Sequence, residues 1–262
     1  MLQQMHIDTA AQFLIDRRNK SAVNSRLAPE LRPTTTAEAL AIQQAIVAKM
    51  GDRIGGWKCC LPAADKLNVA PIFAKTIHTT SPGSIRLERG VCRIEPEIGF
   101  RFKQDLPPRD KAYTDAEIKH ALGGTHMALE LIEKRYTGAE EVTYLENLAD
   151  CLFNQGLYLG PEIPMDKAIN SPEIDFVLTQ GAAKPFKGKH PNNGPILPVL
   201  WLANFLRDRG IGIQAGQVVI TGSFAGVHEV QPNREFTIEY TGLGKLSVLL
   251  EPVAGSMGSL SV

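Results

Sequence analysis

The stretch Ile94-Glu95-Pro96-Glu97-Ile98-Gly99-Phe100-Arg101-Phe102 has a period of two, which a helix cannot satisfy and an extended strand can. It places Ile94, Pro96, Ile98, Phe100 and Phe102 on one face, to be buried, and leaves Glu95 and Glu97 together on the other. Side chains two apart on a strand start roughly 6.5 to 7 Å apart, so two glutamates can converge on one ion. Two like charges that close need a compensating cation. A hard divalent ion such as Mg²⁺ supplies it, taking oxygen ligands in an octahedron and keeping waters that a substrate can displace. The alternative is a solvated pair, since Glu-x-Glu on an exposed strand is commonplace.

A third carboxylate bears on that choice. His126-Met127-Ala128-Leu129-Glu130-Leu131-Ile132 is an apolar run with one acid in its middle. Burying an unpaired carboxylate costs several kcal/mol, so Glu130 must be ion-paired, protonated or bound to a metal. Lys134 and Arg135 are the nearby candidates for an ion pair.

Around this strand the chain divides in texture. Residues 1 to about 55 read as helical, with Thr35-x-x-Glu38 as a capping box ahead of Ala39, Ile42, Ile46 and Met50 on one face. From about residue 56 to 262, short β-rich runs are punctuated by Pro82-Gly83, Pro107-Pro108, Pro161 and Asn192-Asn193-Gly194. Two helices interrupt the sheet, one capped by Thr114-x-x-Glu117 and one from about Pro198 to Arg209 that stops at Gly210. Near the end, Glu235 to Tyr240 and Lys245 to Leu250 flank Thr241-Gly242-Leu243-Gly244 as a hairpin. The expected class is α+β, a single domain over 1–262, for no repeat or long linker separates two units.

Composition narrows the partners. Lys plus Arg and Asp plus Glu are equal at 28 each, so no net field draws the protein to nucleic acid or to an anionic membrane, and a small molecule is the expected partner. The first residues lack a basic start and an unbroken apolar run, and no segment approaches a bilayer span, which predicts a cytoplasmic protein. Cys59, Cys60, Cys92 and Cys151 show no C-x-x-C pairing and are expected to be reduced thiols, mostly buried. The six histidines have no metal-ligand spacing. His126 could support Glu130 if it shares its strand and face, or could be a satisfied structural histidine.

Taken in order, Gly55-Gly56-Trp57-Lys58, Ile94-Glu95-Pro96-Glu97, Ala128 to Tyr136, Leu148-Ala149-Asp150, Leu157 to Gly160, Val199 to Asn204, Val219 to Ser223 and Gly242-Leu243-Gly244 cover nearly the whole chain. The set resembles the 2-keto-4-pentenoate hydratase and 4-oxalocrotonate decarboxylase family, within the fumarylacetoacetate hydrolase-like superfamily. The resemblance implies a mixed β-roll with an N-terminal helical region, a Mg²⁺ or Mn²⁺ ion, a homo-oligomer, and lyase chemistry on small 2-oxo acids from aromatic compound catabolism. It implies Glu95, Glu97 and Glu130 as metal ligands and Lys58 as the catalytic residue facing the substrate. Lys58 would stabilise substrate charge or, with a depressed pKa, shuttle a proton; otherwise it is a surface lysine lying over Trp57. Thr221, Gly222 and Ser223 would hold the substrate carboxylate through amides and hydroxyls, or simply end a strand.

There are departures. Ile72, in Pro71-Ile72-Phe73-Ala74, takes the place at the substrate where hydratases of the group carry an acid; an isoleucine cannot move a proton, which puts hydration in doubt and resembles the decarboxylase branch, the alternative to a leading hydratase reading. Cys59, Cys60 and Cys151 stand where the family has other residues, so the pocket is expected to be reshaped. The loop Lys187 to Pro195 could be a lid or a solvated connection. Two further classes stay open: a C–C hydrolase, for which no His-Glu base is evident, and a non-catalytic 2-oxo-acid binder.

Overall fold

The structure, a computed structural model, describes residues 2–20, 26–64, 66–136 and 141–253. The chain begins with helices α1 (Gln4–Lys20) and α2 (Thr36–Lys49) and reaches its first strand, β1, at Ile54–Cys59. Thr35 caps α2 by accepting from the Glu38 amide. The reciprocal half of the expected capping box is absent: the Glu38 carboxylate accepts from the Thr34 amide, the Thr34 hydroxyl and the Leu2 amide instead, tying the chain's start to α2. Ala10, Ala11 and Leu14 of α1 pack with Ala39, Ile42 and Ile46 of α2, and this layer also buries Phe73, Tyr136 and Leu152. The helical segment is thus a cap seated on the rest of the protein.

After β1 come β2 (Val69–Phe73), β3 (Ile77–His78), β4 (Gly83–Ile85) and β5 (Cys92–Phe102). Helix α3 (Asp115–Ala121) starts on the Thr114–Glu117 capping box, here complete, and leads into β6 (Leu122–Ile132). Helix α4 (Tyr144–Ala149), β7 (Asn154–Ile163) and α5 (Met165–Ile169) precede the hairpin of β8 (Glu173–Gln180) and β9 (Ala182–Lys189). Helix α6 (Ile196–Arg207) is followed by β10 (Val218–Ile220), β11 (His228–Val230), β12 (Phe236–Tyr240), β13 (Gly244–Val248) and β14 (Leu250–Pro252). Gly210, with φ of +69°, turns the chain away after α6 as expected. The hairpin of β12 and β13 forms as read from the sequence, but Leu250 has left it and pairs with β4. Helices α4 and α5 lie outside the sequence expectations, each being under two turns long.

The central sheet runs β2-β1-β10-β5-β6-β7-β3, with β11 added on β5; a second sheet runs β13-β12-β8-β9. One face of the central sheet carries Trp57, Ile94, Ile98, Phe100, Met127, Leu129 and Val219, which pack in one cluster with Val199, Leu202 and Leu206 of α6 and with Phe176, Ile238 and Leu246 of the second sheet. The other face has an apolar floor of Ile72, Ala128, Leu157, Leu159, Val218 and Ile220. Mixed helices and a curled sheet agree with the expected α+β roll. No helix among the described residues is long and apolar enough to cross a membrane.

Candidate functional site

Sheet register brings the three glutamates together. β5 and β6 are antiparallel with Glu95 directly opposite Glu130 and Glu97 opposite Ala128. Like charges facing each other across a strand pair destabilise a sheet, so the arrangement calls for a compensating charge. Carboxylate oxygens of Glu95, Glu97 and Glu130 lie within 4.8 Å of one another. Glu97 and Glu130 are buried and Glu95 is partly so.

Lys58 comes from β1, which is separated from β6 by β10 and β5. On a flat sheet those three spacings amount to about 14 Å; curling places both residues on one concave face. Lys58 Nζ donates to Glu130 Oε1 at 2.6 Å and to the Leu152 carbonyl at 3.1 Å. The partner of the buried Glu130 is therefore Lys58, not Lys134 or Arg135; Arg135 instead binds Asp150 and Glu133. Nor does Lys58 lie over Trp57, which points to the opposite face of β1 and into the apolar core.

One ammonium does not neutralise three carboxylates. Burial, then repulsion from Glu130, raises the Glu95 carboxyl to about 7 against the pull of Lys58 and Arg93. Burial, then Glu130 and Glu95, lifts Glu97 well above the usual carboxylate range, although Lys58 and the Gly222 N–H oppose the shift. For Lys58, burial favours the neutral amine, but Glu130, Glu95 and Glu97 together outweigh it and keep the ammonium above its ordinary pKa. Glu130 Oε2 is buried with no hydrogen-bond partner. An orphaned carboxylate oxygen beside two more hard oxygen donors, carrying excess negative charge, fits a divalent cation.

The segment after β10 serves this cluster differently from the expectation. The Gly222 amide donates to Glu97 Oε2 at 2.7 Å, so it orients a glutamate and is not free for a substrate carboxylate. Gly222 has φ of +109°, and a Cβ there would meet Pro191 and Cys60 at 2.9 and 3.0 Å, so glycine is required for this approach. Thr221 is buried and its hydroxyl contacts His190 Nε2 at 3.2 Å, away from the cavity wall. Ser223 Oγ donates within 3.3 Å of the Pro96 and Gly226 carbonyls. Only Gly222 and Ser223 of the three reach the cavity.

That cavity has a volume of about 350 Å³ and is walled by Lys58, the three glutamates, Cys60, Asn68, Ile132, Leu152, Phe153, Pro191 and Val227, among others. Ile72 is not on its wall. It is fully buried beneath the site in the apolar floor, because on β2 it pairs with Gly56, two residues before Lys58. A substrate contact for Ile72 is therefore corrected to a packing role. His126 also lies elsewhere: its Nδ1 is 3.1 Å from the Gly160 carbonyl and it faces a separate cleft with Arg101 and Glu162. Lys187 to Lys189 are the end of β9, and His190 and Asn192 are tied to Pro172, Thr221 and Leu61, so this segment is an anchored wall and not a lid. All four cysteines are free, and burial first pushes the Cys60 thiol to about 12, a neutral wall group.

Sequence reasoning missed a short backbone feature beside the cluster. Cys151, Leu152 and Phe153 all adopt the left-handed conformation, with φ of 60°, 50° and 65°. Non-glycine residues visit this region singly, at roughly 1–2 kcal/mol each; three in a row must be held by their surroundings. The turn aims the Leu152 carbonyl at Lys58 and is followed by Asn154, whose amide donates to Glu130 Oε1 at 2.8 Å.

No family model matches the chain. It is 27% identical over 173 residues to the 2-oxo-hept-4-ene-1,7-dioate hydratase of Escherichia coli, covering 60% of this chain and 61% of that one. It is 23% identical over 256 residues to a 4-oxalocrotonate decarboxylase of a Pseudomonas species, covering 89% and 95%. The chain spans about six tenths of the length of the hydratases it matches first. Among solved structures, the 4-oxalocrotonate decarboxylase from Pseudomonas putida G7, complexed with magnesium and adipate, superposes with a TM-score of 0.78 at 19% identity, covering 95% of this chain and 99% of that one. The fold is thus the fumarylacetoacetate hydrolase-like roll. The resemblance read from the sequence, to the 2-keto-4-pentenoate hydratases and 4-oxalocrotonate decarboxylase, is met by these relatives.

Proposed function

We propose that the protein is a divalent-metal-dependent lyase acting on small 2-oxo acids, with Mg²⁺ or Mn²⁺ held by Glu95, Glu97 and Glu130. The observation that carries this reading is the convergence of three carboxylates within 4.8 Å around an unpartnered buried oxygen, in a cavity of small-molecule size. When bound, such an ion supplies a Lewis acid for the carboxylate and 2-oxo oxygens of the substrate. The chain's own residues do the rest. Gly222 and Asn154 fix two of the glutamates by hydrogen bonds. Lys58 places a charged ammonium next to them, where it can stabilise negative charge on a substrate or give it a proton. Ile132, Leu152, Phe153 and Val227 supply an apolar wall that limits water.

Hydration of a 2-hydroxydienoic acid is the first activity to test, with decarboxylation as the second reading. The second gains weight because the decarboxylase relative is matched over 95% of its length. The test follows the ultraviolet absorbance of 2-hydroxypenta-2,4-dienoate with metal-stripped protein before and after Mg²⁺ or Mn²⁺ is added. Metal-dependent conversion to the 4-hydroxy-2-oxo acid is the expected result. Carbon dioxide release from 4-oxalocrotonate without hydration would move the assignment to the decarboxylase. Inertness towards both, with or without metal, would sink the lyase reading.

The charge environment adds a pH prediction. Glu95 titrates near 7 in the fold against an ordinary 4.5, so between those values the folded state binds more protons than the unfolded one, and metal-free stability falls as pH rises. Glu97 acts in the same direction, while the raised Lys58 loses its contribution only at alkaline pH. A cation reverses the penalty by pairing with the deprotonated carboxylates. The gain in melting temperature on adding Mn²⁺ should therefore be several degrees larger at pH 8 than at pH 5.5. Equal gains at both pH values would argue against the cluster as the metal site.

A further inference from the structure

The left-handed turn Cys151 to Phe153 touches both halves of the site, through the Leu152 carbonyl to Lys58 and through Asn154 to Glu130. Its residues do not favour that conformation, and α4 alone does not enforce it. We propose that Arg135 is a positioning residue whose buried guanidinium staples the two ends of this turn and thereby sets Lys58 and Glu130 for the metal. The inference rests on the metal reading above.

The geometry is that of a clamp. Arg135 Nη2 donates to the Asp150 carbonyl at 2.7 Å and Nη1 to the Asn154 carbonyl at 3.1 Å, so one planar group joins the residue before the turn to the residue after it. Its Nε donates to the Asp150 carboxylate at 2.8 Å and Nη1 also reaches the Glu133 carboxylate at 3.2 Å, which fixes the plane of the fork. Arg18 of α1 adds a second donor to the Asn154 carbonyl at 3.0 Å, linking the helical cap to the same point. Backbone bonds complete the turn: Leu152 N–H to the Asn147 carbonyl, Asn154 N–H to the Cys151 carbonyl, and Glu133 N–H to the Phe153 carbonyl.

Arg135 is only 1% exposed and does not line the cavity, so it touches no substrate and acts through the turn. A lysine could keep the charge but not the two-pronged contact, because an ammonium is a point charge and cannot hold two separated carbonyls in one plane. With the staple loosened, the Leu152 carbonyl and the Asn154 amide lose their aim together. Glu130 is then held at Oε1 by Lys58 alone, and its free Oε2 is no longer fixed in aim.

Full-length Arg135→Lys and Asp150→Asn are stripped of metal and titrated with Mn²⁺, free ion being read by electron paramagnetic resonance, while thermal unfolding reports the fold. Mn²⁺ affinity is expected to fall about 10- to 100-fold in folded Arg135→Lys, the range seen when groups that orient metal ligands are lost. In Asp150→Asn, which keeps both carbonyl contacts, the fall should be nearer the lower end. Guanidinium ion should restore part of the affinity in Arg135→Ala and leave the wild type unchanged, a response that a general loss of stability does not give. Wild-type affinity in folded Arg135→Lys would overturn the proposal. If that variant does not fold, wild-type affinity in Asp150→Asn has the same force. A wild-type protein that binds no Mn²⁺ would overturn the metal reading and this inference with it.

Discussion

Glu97→Gln is expected to abolish metal-dependent turnover while leaving the metal-free protein as stable as the wild type or more so. Glu97 is almost wholly buried, and its ionised form suffers first from desolvation and then from Glu130 and Glu95. A glutamine keeps the shape and can still accept the Gly222 N–H that Glu97 accepts at 2.7 Å. It removes one of the two negative charges that Lys58 leaves unbalanced. The metal-free melting temperature at pH 8 should therefore rise, by on the order of 2–4 °C for each kcal/mol of repulsion relieved in a chain of this size. Binding goes the other way. The variant offers the cation two carboxylates instead of three, and the loss in affinity should exceed the roughly 10- to 100-fold that changes around a metal site cost. On the proposed lyase reading turnover depends on a Lewis acid worth several kcal/mol, so it should drop by at least about 10³. Calorimetric titration with Mn²⁺, unfolding of the stripped protein and turnover give three independent readings. Undiminished turnover would end the case for Glu97 as a ligand, and a lower metal-free melting temperature would mark it as an ordinary structural carboxylate.

The opposed signs explain which parts of the site were legible in the sequence. Alternation at Ile94 to Phe102 told which residues of that strand point together; β5 buries the apolar face as the period requires, but Glu97 and Gly99 on the other face are buried too. Glu130 announced itself by standing alone in an apolar run, a cost that sequence alone can register. What the run did not carry was the identity of its partner. Local spacing suggested Lys134 or Arg135, while the actual contact, Lys58, is 72 residues away and depends on how far the sheet curls. Ile72 failed for a related reason. Its place in a motif gave no information on which face of β2 it occupies, and pairing with Gly56 turns it into the floor. The left-handed turn was invisible because Cys151, Leu152 and Phe153 have no turn chemistry of their own; long-range contacts from Arg135 impose their conformation. Helix α4 was the avoidable omission, since Thr143-x-x-Glu146 is a complete capping box of the kind read correctly at Thr114.

Lys58→Met should separate the proton carrier from the metal ligands. Methionine fills a similar volume but leaves the Leu152 carbonyl without its donor and Glu130 with Asn154 as its remaining partner. Lys58 is the one cationic side chain among the described residues that line the cavity, so its loss leaves three converging carboxylates with no countercharge on that wall. Removing one member of a buried ion pair costs about 3–5 kcal/mol, here reduced because Glu95 and Glu97 can take up protons. The metal-free variant should unfold at a lower temperature than the wild type at pH 8, the reverse of Glu97→Gln. Mn²⁺ affinity should be retained or increased, because the site is more negative and a competing cation has gone. Turnover should nevertheless fall by about 10² to 10⁴, the usual contribution of a positioned proton donor or acceptor. A drop in kcat with metal binding intact would place Lys58 in the chemistry. Turnover within a few-fold of the wild type, in a variant that binds Mn²⁺ normally, would reduce Lys58 to a countercharge that stabilises the empty site and would require another group to carry the proton.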